Sequence, residues 1–342
     1  MKLQTAVSLV KGGRLRLLWR ASALLSPFYR LSFAASAGSA GLLRLLGRGA
    51  RPLDEIAAQL GIAPAARPGL EAWLGLGVRL GELALEDGRY RLVGYLSRML
   101  ADPANDEVAA LVEEVGAFHH RLILETPRRL QAGQPWRLEE HDACLIARSS
   151  RILEPFVFPF IDQVVPPRGA LRLLEVACGS GTYLRRAAQR NPDLHAVGVE
   201  LSADVAASAR AELAALGLEA RVTVEAGDIR ERTGEASFDL VTLHNAIYYF
   251  ATAERAALFA SLRAFLRPGG RLVVTSSLRG GSAGMQLLDL WTSSVEGAGP
   301  LPSEAELVAQ ITGAGFGGVV VRRLIPGEAY VGIVATREGA GA

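Results

Sequence analysis

Cysteine is almost missing from this chain. Cys144 and Cys178 are the only two in 342 residues, too few for a disulfide framework, and each has the apolar neighbours of a reduced structural thiol, as expected of a cytoplasmic protein. Long apolar runs are missing too. The longest uncharged stretch near the start, residues 31–43, is rich in small residues and shorter than the roughly 20 needed to cross a bilayer, so no transmembrane helix is expected. Carboxylates are absent from residues 1–53, which carry nine basic groups, while the remainder has 28 basic against 35 acidic. The short apolar run between Lys2 and Lys11 leads into KGGRLRLLWR without a small-residue cleavage site, which argues against secretion. The basic start is read either as helices packed on a partner subunit or the second domain, or as an amphipathic helix in peripheral contact with a membrane.

No repeat or low-complexity tract interrupts the chain, and it is long enough for two domains with cores of their own. After the basic arm, RPLDEIAAQLGI spaces Leu53, Ile56, Ala57 and Leu60 on one helical face. A second helix follows in RPGLEAWLGLGVRLGEL, then two short strands around the hairpin dipeptide Asp87-Gly88. This is the order of a winged-helix module. Its second helix sets Arg67 and Arg79 against Glu71 and Glu82 beside Leu70, Trp73 and Leu74, a balance that suits packing better than reading a DNA groove. The spacing predicts a basic arm and winged-helix-like unit over 1–100, helices over 101–167, and an α/β domain over 168–342.

In the last region, leucine-rich or β-branched runs at 171–176, 196–200, 221–224, 240–243 and 271–275 alternate with alanine-rich helical stretches. That alternation implies a Rossmann-like, mostly parallel sheet. Ser303 and Glu306 form a capping box for the last helix. Two strands then follow with no helix between them, predicting an antiparallel pair at the sheet edge.

The first strand runs into LLEVACGSGTYL (173–184). Gly179 and Gly181 sit where a nucleotide's ribose or phosphates approach the carboxyl end of a sheet. Glu200 ends the second strand, where a carboxylate accepts both ribose hydroxyls; Asp228 follows the third, beside Ile229, where it accepts from an adenine amino group. Glu175 is an unusual charge in an apolar strand and calls for partners. A dinucleotide loop needs a small residue three after its second glycine. Leu184 stands there, so adenosine without pyrophosphate is the better fit.

Taken in order and spacing, LLEVACGSGTYL, AVGVELS, EAGDIRE, FDLVTLHNAIYYF and FLRPGGRLVV resemble the motifs of class I S-adenosylmethionine-dependent methyltransferases over about residues 168–337. The segment before them resembles the winged-helix dimerisation domain of small-molecule O-methyltransferases. The resemblance implies S-adenosyl-L-methionine as methyl donor, a small-molecule acceptor and a homodimer. It implies that Glu175 and the backbone at Ala177, Gly179 and Gly181 hold the methionine part, that Glu200 and Leu201 lie at the ribose, and that Asp228 and Ile229 lie at the adenine. Asn245 joins this set, and so does Arg151, from a helix that in the family crosses the cofactor mouth.

Aligned on Leu243, the histidine base of the plant-type enzymes falls at Tyr248. Tyr248 is therefore expected as a wall or hydrogen-bond donor toward an amine, thiol, phenol or activated-carbon acceptor, His244 as the spare base, and His120 as a further candidate. Adjacent His119 and His120 diverge on a helix, so no metal site is expected. Glycines 280, 281 and 284 suit a hinge in a flexible wall or lid. Two alternatives remain: a methyltransferase for nucleic acid or protein, disfavoured by the lack of interleaved basic and aromatic residues, and a winged-helix regulator that senses S-adenosylmethionine.

Overall fold

The computed structural model describes residues 14–234 and 236–339. The chain divides into two compact units between Arg121 and Leu122, inside one helix, so the predicted connector 101–167 is shared between them.

The first unit contains α1 (Arg14–Ser39), α2 (Leu42–Gly47), β1 (Arg51–Pro52), α3 (Leu53–Gln59), α4 (Arg67–Arg79), β2 (Leu83–Glu86), β3 (Arg89–Leu92), α5 (Tyr95–Leu100) and α6 (Asp106–Glu114). Asp87 and Gly88 both take positive φ, 49° and 72°, as a two-residue turn matched to strand twist requires. The wing is the antiparallel sheet β1-β3-β2. Leu70 and Leu74 on α4 turn inward onto Phe33, Leu42, Ile56 and Leu83, and Arg67 is paired with Asp54, so α4 is a packing helix. Glu82 lies beyond the end of α4, fully buried. Its carboxylate accepts from Arg30 Nη2 at 2.6 Å, Arg30 Nε at 2.9 Å and Ser97 Oγ at 2.6 Å, which fastens α1 to the wing. Burial works against the charge, but the hydrogen bonds from Ser97 and Arg30 outweigh it and hold the carboxyl below its usual range.

In the second unit, α7 (His120–Ala132, begun in the first unit), α8 (Ala143–Ser149) and α9 (Glu154–Val164) precede an alternating run. It comprises β4 (Leu171–Val176), α10 (Thr182–Arg190), β5 (Leu194–Glu200), α11 (Ala203–Ala215), β6 (Val222–Ala226), β7 (Phe238–His244), α12 (Arg255–Phe265) and β8 (Leu266–Ser277). Then come α13 (Ala283–Ser294), α14 (Glu304–Gly313), β9 (Phe316–Arg323) and β10 (Tyr330–Arg337). The sheet order is β6-β5-β4-β7-β8-β10-β9. Only β10 runs against the rest, slotted between β8 and β9, so the expected antiparallel pair lies at this edge with β9 outermost. The predicted capping box of α14 forms, Ser303 and Glu306 each satisfying the other's backbone N–H.

Alternate residues of the parallel strands feed two cores. Leu174, Val176, Val199, Val241 and Leu243 enter one; Leu171, Leu173, Ala196, Val222 and Leu240 enter the other. Glu175 shares the second face with Leu171 and Leu173. Leu184, on α10, is fully buried and is accommodated by a glycine on the strand beneath it: a Cβ at Gly198 would stand 2.6 Å from Leu184 Cδ1 and 2.7 Å from Cys178 Sγ. The small residue that a dinucleotide loop carries on its helix is here carried by β5, and helix and strand still pack closely.

Gly198→Ala should therefore cost about 1–3 kcal/mol of stability by overpacking. Urea denaturation will show that cost shrinking in a Leu184→Ala background, where the clashing methyl is gone.

Candidate functional site

The turn after β4 is built from left-handed residues: Ala177 at φ 52°, Gly179 at 54° and Gly181 at 74°. Ala177 adopts the conformation that favours glycine, at a cost of about 1 kcal/mol in strain. Nothing lies within 4 Å of where a Cβ of Gly179 would point, so backbone conformation and open space, not packing, call for glycine there. The Gly179 N–H donates to Glu200 Oε2 at 3.0 Å, and the Ser202 N–H donates to Oε1 at 3.0 Å. Each donor aims one oxygen and leaves it lone-pair capacity for further donors, the geometry a vicinal diol needs. Next to it, Leu201 is 55% exposed, an unsatisfied apolar face beside a fixed carboxylate.

Asp228 caps the turn after β6 through the Arg230 N–H at 2.9 Å, and the Arg230 guanidinium grips the same carboxylate, Nη2 to Oδ2 at 2.6 Å. These bonds from Arg230 hold the carboxyl below its ordinary range despite partial burial. Arg230 also reaches Glu254 at 3.6 Å and lies over the Phe250 ring. Ile229 is buried beside this pair.

Beneath the loop lies a polar layer that the motifs do not announce. Glu175, Thr242, His244 and Tyr183 line a narrow cavity of about 10 Å³, the size of one water, closed by Ile161, Val164 and Val165. Glu175 Oε1 and Thr242 Oγ1 accept no hydrogen bond. Burial alone pushes the Glu175 carboxyl well above its usual range. It also pulls His244 down to about 3. The His244 ring contacts Thr275 Oγ1 at 3.0 Å and packs 4.7 Å from Tyr183. His244 is thus a buried, neutral histidine, and desolvation makes it a weak base.

Asn245 ends β7 at φ 54°. Its amide is already engaged, accepting from Tyr330 OH at 2.7 Å and donating to Tyr183 OH at 3.3 Å. Its side chain thereby fixes the strand end. Cys178 is buried with its thiol pushed up, a packing residue as read from the sequence.

Tyr248 lies in the turn after β7, buried, 5.1 Å from the Tyr249 ring. Its carbonyl accepts the Gly299 N–H, while Arg255, itself buried, donates to Phe250 O at 3.0 Å and Pro300 O at 2.7 Å. Arg255 thereby ties the Tyr248 turn to residues 299–301. Nothing in the local sequence pattern marks it, or Tyr183, Tyr330 and Gly198. A tyrosine two positions after the loop glycine was the one available signal.

Arg151 donates to Glu154 Oε1 at 2.8 Å. His120 belongs to the first unit, where its ring packs 5.3 Å from Phe28. The expected lid is helical from Ala283, with Gly284 inside α13 and Trp291 buried against Trp136 and His141. Only Gly280 and Gly281, at φ 88° and 136°, keep hinge-like conformations.

Residues 174–272 match the family model of a methyltransferase domain. The chain is 32% identical over 114 residues to trans-aconitate 2-methyltransferase of Deinococcus radiodurans, covering 33% of this chain and 41% of that protein. It spans about half or less of the length of the curated relatives it matches. Its fold is that of mitomycin 7-O-methyltransferase MmcR, with a TM-score of 0.72 and 21% identity over 96% of this chain and 100% of that one. It is also that of human N-acetylserotonin methyltransferase, solved with SAM, with a TM-score of 0.69 and 18% identity over 96% and 98%. The resemblance read from the motifs holds at the level of domain and fold.

A carboxyl whose folded pKa is raised contributes stability below its unfolded value and loses it as pH rises. Glu175→Gln should therefore stabilise the ligand-free protein at pH 7–8, with the gain vanishing near pH 4. Urea melts across that range check the sign.

Proposed function

We propose that this chain, whose residues 174–272 are a methyltransferase domain, transfers a methyl group from S-adenosyl-L-methionine to a small organic acceptor. The observation that carries the reading is the Glu200 carboxylate, aimed by the Gly179 and Ser202 N–H groups beside a loop with open space over Gly179. The residues present fit the donor. Glu200 accepts the ribose hydroxyls, Leu201 and Ile229 flank the adenine, and Asp228, held by Arg230, accepts its amino group. The backbone at Ala177, Gly179 and Gly181 lies along the methionine part. Glu175, a carboxyl with an unsatisfied oxygen, suits the ammonium. Asn245 acts from behind, by holding the end of β7.

Bound there, S-adenosylmethionine supplies an electrophilic methyl on a sulfonium. The protein's work is then to align a nucleophile and exclude water. His244, neutral and enclosed, gives the pocket no base, so an acceptor that loses its proton easily suits it: an amine, a thiol, an acidic phenol or an activated carbon. Tyr248 is our candidate for the acceptor-side wall, on a turn that Arg255 keeps in place. We place the protein in the cytoplasm, where its two free thiols stay reduced, and assign it a second copy of itself as partner through the N-terminal unit.

Calorimetric titration with S-adenosylmethionine and S-adenosylhomocysteine tests the reading. Wild type should bind both, and Glu200→Ala should lose roughly 10- to 100-fold in affinity, as expected for two charged hydrogen bonds. Absence of binding by the wild-type protein would end the proposal. With binding in hand, methyl transfer to amines, thiols, phenols and activated carbons identifies the acceptor class.

A further inference from the structure

Asp228 stands at the base end of the proposed donor site with its carboxylate almost fully spent. Oδ1 accepts the Arg230 N–H at 2.9 Å, which closes the short turn after β6. The Arg230 guanidinium lies along the same group, with Nε 3.0 Å from Oδ1 and 2.9 Å from Oδ2, and Nη2 2.6 Å from Oδ2. A carboxylate offers about four lone-pair positions, and these donors occupy about three of them. The planar fork also locks the orientation of the group, whose side chain is only 20% exposed.

The arginine is held in turn. Its Nη1 faces Glu254 Oε2 at 3.6 Å, just before α12, and its guanidinium carbon stands 5.9 Å from the centre of the Phe250 ring. Its donors are thus turned to two carboxylates and away from an incoming base. The side-chain hydrogen bonds from Arg230 keep Asp228 ionised, so the carboxyl does not become a donor itself. An exocyclic amino group can donate to the lone pair that is left. A carbonyl in the same place meets a negative charge with no proton between the two oxygens, and loses its hydrogen bond to water as well.

We propose that Arg230 sets the base specificity of the donor site as a positioning residue acting through Asp228: by filling most of the carboxylate it leaves a fixed acceptor that admits the amino group of adenine and rejects the carbonyl of hypoxanthine. The proposal rests on the methyl-donor reading above and refines it. Arg230 is half exposed, so its part is in aiming Asp228 and not in holding the fold together.

The test is calorimetric titration of the full chain with S-adenosylhomocysteine and with S-inosylhomocysteine, the same molecule carrying a carbonyl in place of the amino group. Wild type should bind the inosine compound at least about tenfold more weakly. Arg230→Gln should cut that ratio about fivefold, because the freed carboxylate turns aside and water reaches the carbonyl; Arg230→Lys, which restores the charge without the planar fork, should fall between. Thermal melts of both variants should superpose on wild type. A turn that merely lost order would weaken both ligands alike, so an unchanged ratio in Arg230→Gln overturns the proposal. Equal affinity of wild type for the two compounds also overturns it while leaving the donor reading intact; binding of neither ends both.

Discussion

The hydrogen bond from the Gly179 N–H to Glu200 is the contact on which the geometry of the site depends. It joins the turn after one strand to the end of the next, and it forms only because β4 and β5 run parallel in register from Leu171 opposite Leu194 to Val176 opposite Val199. A slip of one residue would turn Glu200 to the other face and leave the glycine turn facing nothing. The register is in turn held by the close fit of Leu184 and Cys178 over Gly198. A packing contact in the core thus sets the aim of a carboxylate at the rim.

Much of this was legible in the sequence, for reasons that differ from element to element. Parallel strands buried on both faces read as unbroken apolar runs, and the helices between them as alanine-rich stretches, so the layer order could be taken directly from composition. The Asp87-Gly88 turn and the Ser303 cap were legible because each is decided by two or three adjacent residues. Leu184 argued against a pyrophosphate loop, but the complement that lets its helix pack closely on the strand, Gly198, lies fourteen residues away on another element. No local pattern connects the two.

The polar layer under the loop was the least legible part. His244, Thr242, Glu175, Tyr183 and Tyr330 come from β7, β4, α10 and β10, and only the fold makes them neighbours. A histidine at a strand end next to a motif looks like a base. Whether it can act as one depends on solvation, which sequence does not encode: enclosed by Tyr183 and Thr275, His244 stays neutral through the physiological range. His244 and Asn245 are both held by neighbours from other elements, Thr275 on β8, Tyr183 on α10 and Tyr330 on β10.

Arg255 illustrates a different kind of control. Its guanidinium is planar and permanently charged, and it spans two carbonyls from segments fifty residues apart, Phe250 and Pro300. The separation of those two loops is therefore a bond-length quantity, fixed by the width of one rigid fork instead of by the compressible packing of side chains. A lysine in its place would keep the charge and lose the gauge. A shift of the loop at 299–301 is thereby passed to the turn that carries Tyr248, so the shape of the proposed acceptor wall can be retuned by substitutions that never touch the acceptor.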